Sequence, residues 1–203
     1  MEFFIPLAAG GVRLASVLAL ASLGENLSQR AGVLGIGLEG YMNFGTIIGF
    51  ATAFYTGNPW LGLLAAIAAG AILSLIHGYL SITLGVEQMV SGIGIIFLAM
   101  GLMCFTFSKV FMPLPIFPTV NCLNPVDVPL LSQIPGIGPI FFQHSPVTYI
   151  IYFLVPLFWF ILYRTKFGLK IRAAGEFASG SDTMGVNVYR VRYICVLLSG
   201  VMG

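Results

Sequence analysis

FGLKIRAAGEFASGSDTMGVNVYRVR, residues 167–192, is the stretch from which the architecture is read. It is the only long, strongly charged, water-compatible segment between two apolar runs. Six of the nine Lys and Arg residues lie in or beside it: Arg164, Lys166, Lys170, Arg172, Arg190 and Arg192. Only Glu176 and Asp182 oppose them. Short cytoplasmic loops of membrane proteins collect Lys and Arg. Residues 164–192 are therefore placed on the cytoplasmic side, and the rest of the chain is oriented from them.

Composition supports a membrane solvent. The 203 residues are 58% hydrophobic and 8% charged, whereas a soluble domain is about a quarter charged. So few charges cannot coat a water-facing surface, and membrane lipid must replace water over most of it. The net charge of +2 comes from the inner cations. No basic groove interleaved with aromatics is present, so nucleic acid is not expected as a partner. Cys104, Cys122 and Cys195 are far apart with no metal-ligand spacing. Only Cys122 falls on the outer side, so neither a disulfide nor a bound metal is expected.

A spanning helix needs about 20 mostly apolar residues. Residues 6–24, 38–57, 60–84, 88–108 and 147–163 qualify, and a sixth run opens at Tyr193 and reaches Gly203. The expected fold is all-α: a polytopic transmembrane bundle of about five complete spans plus a truncated sixth, residues 1–203 forming one transmembrane domain. Counting back from the inner segment puts 109–146 outside, the Gly85–Glu87 turn inside, the Gly57–Pro59 turn outside and Arg30 inside. Residues 109–146 carry eight of the eleven prolines. Proline removes a backbone donor and ends helices, so an irregular external cap with a short helix is expected there. The competing reading is a plain connector. His144, in this outer segment, is expected to face water.

Small residues mark helix contacts. Ala66, Gly70, Ser74 and Gly78 recur every four residues, and Gly45 and Gly49 form a GxxxG pair. Such residues let backbones approach closely where lipid supplies no hydrophobic drive. Residues 24–40, GENLSQRAGVLGIGLEG, interrupt the first two apolar runs. Irregular backbone at membrane depth survives only against protein or a water-filled cavity, so a broken helix here would line a pathway. The alternative is a wide inner loop with solvated charges.

No nucleophile–base pair and no phosphate-binding GxxxxGK[ST] loop appears, so neither catalysis nor ATP binding by this chain itself is expected. His77 reads as a packed, hydrogen-bonded histidine. Glu39 and Glu87 sit near span ends. Proton-driven carriers keep carboxylates within their spans, so this scarcity favours a neutral or weakly polar substrate. On the inner face, a short helix from Glu176 to Met184 with Gly185 as its stop is expected. Such a helix would dock in a groove of a separate protein and transmit its motion; the bland alternative is a solvated positive loop.

GLKIRAAGE, ASGSDTMGVNVYRVRY and VLLSG together resemble the inner-loop signature of ABC importer permeases of the branched-chain amino acid, simple-sugar and nucleoside type. GENLSQRAGVLGIGLEGYMNFG and EQMVSGIGIIFLAMGL resemble the amino-terminal and middle segments of the same family. The resemblance runs in order over nearly the whole chain and is nearest to the sugar–nucleoside branch. It implies a multi-pass permease subunit in the bacterial cytoplasmic (inner) membrane. It also implies a second permease subunit, ATP-binding subunits that carry the ATP, and an extracytoplasmic substrate-binding protein. It puts the ATPase-coupling loop at Ala174, Gly175, Glu176, Asp182 and Gly185. It puts candidate path residues in the segments 24–40 and 87–94 and beside them: Glu25, Asn26, Glu39, Asn43, Gln88 and Ser91. Resembling proteins continue past VLLSG through further helices that complete the path, so a chain ending at Gly203 is expected to be incomplete. The rival reading is an ion-gradient-driven carrier or channel that binds substrate at the broken segment. A membrane-embedded enzyme ranks third.

Overall fold

The computed structural model describes residues 4–113, 119–120, 124, 126–127 and 137–203. Helix α1 runs from Phe4 to Arg30. Its Pro6 sits in the first turn, where a missing N–H costs nothing. Gly32, with φ of +83°, ends the helix: the Gly32 amide bonds the Gln29 carbonyl and the Val33 amide bonds Ser28. This left-handed closure satisfies carbonyls that the helix end leaves open.

Helix α2 spans Leu38–Thr56 and stops at Gly57. Helix α3, Pro59–Gly78, starts with Asn58 as its cap and proline in the first turn. It continues as a π-helical turn over Tyr79–Thr83. Helix α4 covers Gln88–Val110. Strand β1 (Val126–Asp127), helix α5 (Ile137–Phe141) and strand β2 (Gln143–His144) follow, with the two strands antiparallel. Helix α6 is Pro146–Arg164 and contains Pro156. Helices α7 (Lys166–Glu176), α8 (Ala178–Thr183) and α9 (Val188–Met202) complete the chain.

The fold is a helical bundle. Among the described residues four helices are long and apolar enough to cross a membrane: α1, α3 with its π turn, α4 and α6. The fifth expected stretch forms α2, 19 residues long, but Glu39 and Asn43 lower its hydropathy and it is not among the four. It packs between α3 and α4, while α3 also packs on α9 and α9 on α1. Exposed apolar side chains such as Leu18, Phe97, Phe105 and Phe153 cover the outward faces, a surface suited to lipid.

Three apolar cores form among the described residues. One gathers Tyr41, Leu73, Ile95 and Ala99 between α2, α3 and α4. A second joins Leu27, Phe158, Leu162, Ile171, Ala174, Val191 and Cys195, binding α7 to the ends of α1, α6 and α9. The third, Val33, Ile82 and Val196, is smaller.

Three expectations need correction. The break expected over residues 24–40 is confined to 31–37, because the polar run Glu25–Arg30 holds no helix breaker and stays in α1. The inner segment is not a loop with one helix from Glu176 to Met184 but two helices, α7 and α8, parted at Phe177. Within this segment a Cβ on Gly168 or Gly175 would meet a backbone carbonyl, of Ile161 and of Arg30 respectively. They are glycines of close approach. His144 does not face water: it is fully buried, and its Nε2 donates to the Ile140 carbonyl at 2.6 Å. Gly185 does end α8, with φ of +82°. Cys122 and, with it, residues 114–118, 121–123, 125 and 128–136 of the proline-rich segment lie outside the described residues.

Candidate functional site

The short crossover from Ala31 to Gly37 carries the densest side-chain bonding to backbone in the described structure. A chain that leaves helical geometry inside a bundle must find partners for its freed amides and carbonyls. Here they come from four helices. The Gly35 amide donates to Glu25 Oε1 at 2.9 Å and the Leu34 amide to Gln88 Oε1 at 2.8 Å. Gln88 Nε2 returns a bond to the Gly32 carbonyl at 3.3 Å. Ser28 donates to the Val33 carbonyl at 2.8 Å, and Arg192 Nε donates to the Ala31 carbonyl at 3.1 Å.

The Leu34 carbonyl is met by His77 Nε2 at 3.2 Å. A carbonyl only accepts, so His77 carries its proton on Nε2 and a neutral ring accepts at Nδ1. Ser91 Oγ lies 3.0 Å from that nitrogen, and Ser81 donates to Ser91 at 3.3 Å. Ser81, Ser91 and His77 thus form a directed chain ending on the crossover. This is the packed, hydrogen-bonded histidine that the sequence suggested.

The candidate path residues divide around this crossover. Gln88 and Ser91 bond on its α4 side. Glu25 and Asn26 line a cavity of about 480 Å³ between α1 and α2, with Gln29 and Met42. Glu25 Oε1 is held by Gly35 and by Gln29 at 2.9 Å. Its Oε2 is buried with no hydrogen-bond partner, as is the Tyr41 hydroxyl. Glu39 is exposed in the first turn of α2, and Asn43 is half-buried one turn further on. The six residues therefore share a neighbourhood but not one cavity.

The residues of the expected coupling loop lie behind the crossover. Ala174 is fully buried, and a Cβ on Gly175 would meet the Arg30 carbonyl and come within 3.2 Å of the Gly32 amide nitrogen. The end of α7 thus rests on the end of α1. Arg192 ties them together, since its Nη2 also reaches the Ala174 carbonyl at 3.4 Å. Glu176, Asp182 and Gly185 are exposed, and so are the flanking Phe177 and Met184.

The small residues meet two neighbours rather than one. A Cβ on Gly49 would lie 3.1 Å from Ala66 Cβ, and one on Gly45 3.5 Å from the Ala66 carbonyl, joining α2 to α3. Further along, Gly70 and Ser74 abut Gly200, and Gly78 faces Val196 and Tyr193, joining α3 to α9.

Sequence reasoning missed Arg192 and Ser28 as crossover residues. Arg192 was counted only as an inner-side charge. Its 161-residue separation from Ala31 leaves no local signal, whereas Ser28 near a helix-ending glycine was a readable one.

Comparison with known proteins bears on this arrangement. Residues 7–203 match the family described as branched-chain amino acid transport system, permease component. The guanosine ABC transporter permease protein NupQ of Bacillus subtilis is 40% identical over 203 aligned residues, covering 93% of this chain and 61% of the relative. A Haloferax volcanii protein provisionally named as a glucose ABC transporter permease is 39% identical, over 98% of this chain and 60% of its own. The nucleoside ABC transporter permease protein NupC of Lactococcus lactis is 35% identical, over 92% and 61%. The chain thus spans about three fifths of the length of these curated relatives. No solved structure matches it.

Proposed function

This chain belongs to the permease-component family of branched-chain amino acid transport systems, and from that membership we propose that it acts in the bacterial cytoplasmic membrane as a permease subunit of an ATP-binding cassette importer. The proposed substrate is a nucleoside or a simple sugar, as the names of relatives at 35–40% identity suggest. The proposed partners are ATP-binding subunits, which carry the ATP, a second permease subunit and an extracytoplasmic binding protein.

One observation carries the reading: the Gly175 contact that seats α7 on the α1–α2 crossover. A push on α8, received at the exposed Glu176, Phe177 and Met184 that flank it, would pass to Gly175 at the end of α7. From there it would reach a crossover held by Arg192, Gln88, Glu25 and His77. Those bonds are directional and the packing close, so the crossover would move as a unit with the helices that grip it. Packed interfaces of this sort switch between discrete arrangements instead of deforming smoothly. On the cavity side, the polar side chains of Glu25, Asn26 and Gln29 would offer hydrogen bonds to a hydroxyl-rich neutral substrate.

The test uses the full-length permease assembled with its ATP-binding subunits and binding protein in proteoliposomes. Uptake of a nucleoside or hexose should require ATP and the binding protein. Glu176→Ala should uncouple hydrolysis from uptake. A cysteine placed at Met184 should be labelled only from the side on which ATP acts. Uptake by the permease alone under an ion gradient, or labelling from the opposite side, would overturn the reading.

A further inference from the structure

At the end of α6, arginines from three helices converge on two aromatic rings. The Arg30 guanidinium lies 5.8 Å from the centre of the Tyr163 ring and donates to its hydroxyl at 3.1 Å. Arg172, on α7, lies 5.3 Å from the same ring. Arg164 lies 6.0 Å from the ring of Trp159, which is itself 6.2 Å from Tyr163. None of the three guanidinium groups forms an ion pair among the described residues. Arg172 Nε is buried without a hydrogen-bond acceptor.

Three like charges gathered on two rings repel one another. Ring faces offset part of that repulsion, but they leave most of the N–H donors free. The patch is positioned for one kind of anion. Trp159 and Tyr163 are 55% and 44% exposed, and they continue the exposed apolar surface of Phe153 and Phe160 on a helix able to cross a membrane. Tryptophan, tyrosine and arginine at the end of such a helix mark the headgroup level of a bilayer. Basic pockets there take acidic lipid headgroups.

We propose that Arg30, Arg164 and Arg172, with Trp159 and Tyr163, form a binding site for the phosphate of an anionic phospholipid. The guanidinium forks donate to the phosphate oxygens in pairs, and the two rings flank the glycerol and upper acyl chain. Continuity with the lipid-facing surface of α6 favours this occupant over an acidic protein segment. A bound lipid bridges α1 to α7 beside the Gly175 contact, holding the two elements together. The inference rests on the membrane reading of α6 and does not depend on the importer reading.

The test adds phosphatidylglycerol to the delipidated full-length complex and counts retained lipid by native mass spectrometry. Arg30→Gln with Arg172→Gln should weaken phosphatidylglycerol retention by about tenfold or more. Arg190→Gln removes an exposed charge outside the patch and should change retention little. Phosphatidylcholine should bind equally to all three proteins. Arg172→Lys keeps the charge but not the fork, and should fall between wild type and the double variant; it serves if the double variant fails to assemble. The proposal is overturned if the patch variants lose no more lipid than Arg190→Gln. It is also overturned if millimolar inorganic phosphate displaces all retained lipid, or if the variants lose only an acidic partner subunit.

Discussion

Two short connections in this protein begin alike and end differently. The α1–α2 crossover and the α2–α3 turn each open with a glycine in left-handed conformation, Gly32 at φ +83° and Gly57 at φ +68°. The second closes within itself. Gly57 returns its amide to Ala53, Asn58 accepts from the Trp60 amide at 3.0 Å, and Pro59 starts the next helix. Its residues are exposed or half-exposed. The first is alternately buried and exposed, and its backbone depends on side chains as distant as Gln88 and Arg192. The difference separates a joint that only turns the chain from one that reports the positions of four helices.

The largest expected effect is at the point where α7 leans on the crossover. Gly175→Val forces a branched side chain against the Arg30 carbonyl, and overpacking against backbone costs about 3 kcal/mol. Thermal unfolding in detergent should show a clearly lowered Tm. A variant as stable as wild type would mean that the crossover and α7 are not packed together.

Gln88→Leu comes next. It removes the partner of the Leu34 amide and of the Gly32 carbonyl together, with an expected loss of about 2 kcal/mol for the stranded polar groups. Hydrogen exchange should accelerate at Leu34 and its neighbours, while the Gly57–Trp60 amides stay unchanged. Equal acceleration at both connections would erase the contrast between them.

Asn58→Ala deletes only a local cap and should cost about 1 kcal/mol. Its exchange effect should stop within the first turn of α3. Spread of that effect to the crossover would show the two joints to be coupled.

The smallest effect on stability belongs to Glu176→Ala. The side chain is exposed, and such substitutions stay within about 0.5 kcal/mol. Its predicted consequence is functional, a loss of substrate-stimulated ATP hydrolysis in the assembled complex with Tm unchanged. A fall in Tm with hydrolysis intact would reverse the roles assigned to packing and coupling at this end of α7.

Legibility in the sequence followed the range of the interactions. The Gly57–Pro59 turn was readable because each residue acts on its immediate neighbours. The apolar runs were readable because about 20 apolar residues have one stable arrangement in lipid. The inner helix was half readable: Gly185 stops α8 as expected, but nothing local showed that Gly168 and Gly175 lie inside a second helix, α7. A glycine that allows φ above zero and a glycine that allows close approach are the same letter. Only the neighbouring Ile161 and Arg30 carbonyls decide between them. His144 was misread for a related reason, since its burial depends on the packing of α5 and β2 and not on the prolines around it.

By itself, then, the amino-acid order determined that this is a helical membrane protein, where its main helices run, and the motifs by which its family is recognised. These follow from local chemistry: hydropathy over one span, and capping and turn residues at its ends. The tertiary structure alone decided that the break between α1 and α2 is seven residues long and not a wide loop, and that Arg192, Gln88 and His77 hold it. It alone decided that Gly175 is its seat. Hydrogen bonds between residues far apart in the chain depend on how the helices come to lie beside one another, and no window of sequence contains both partners.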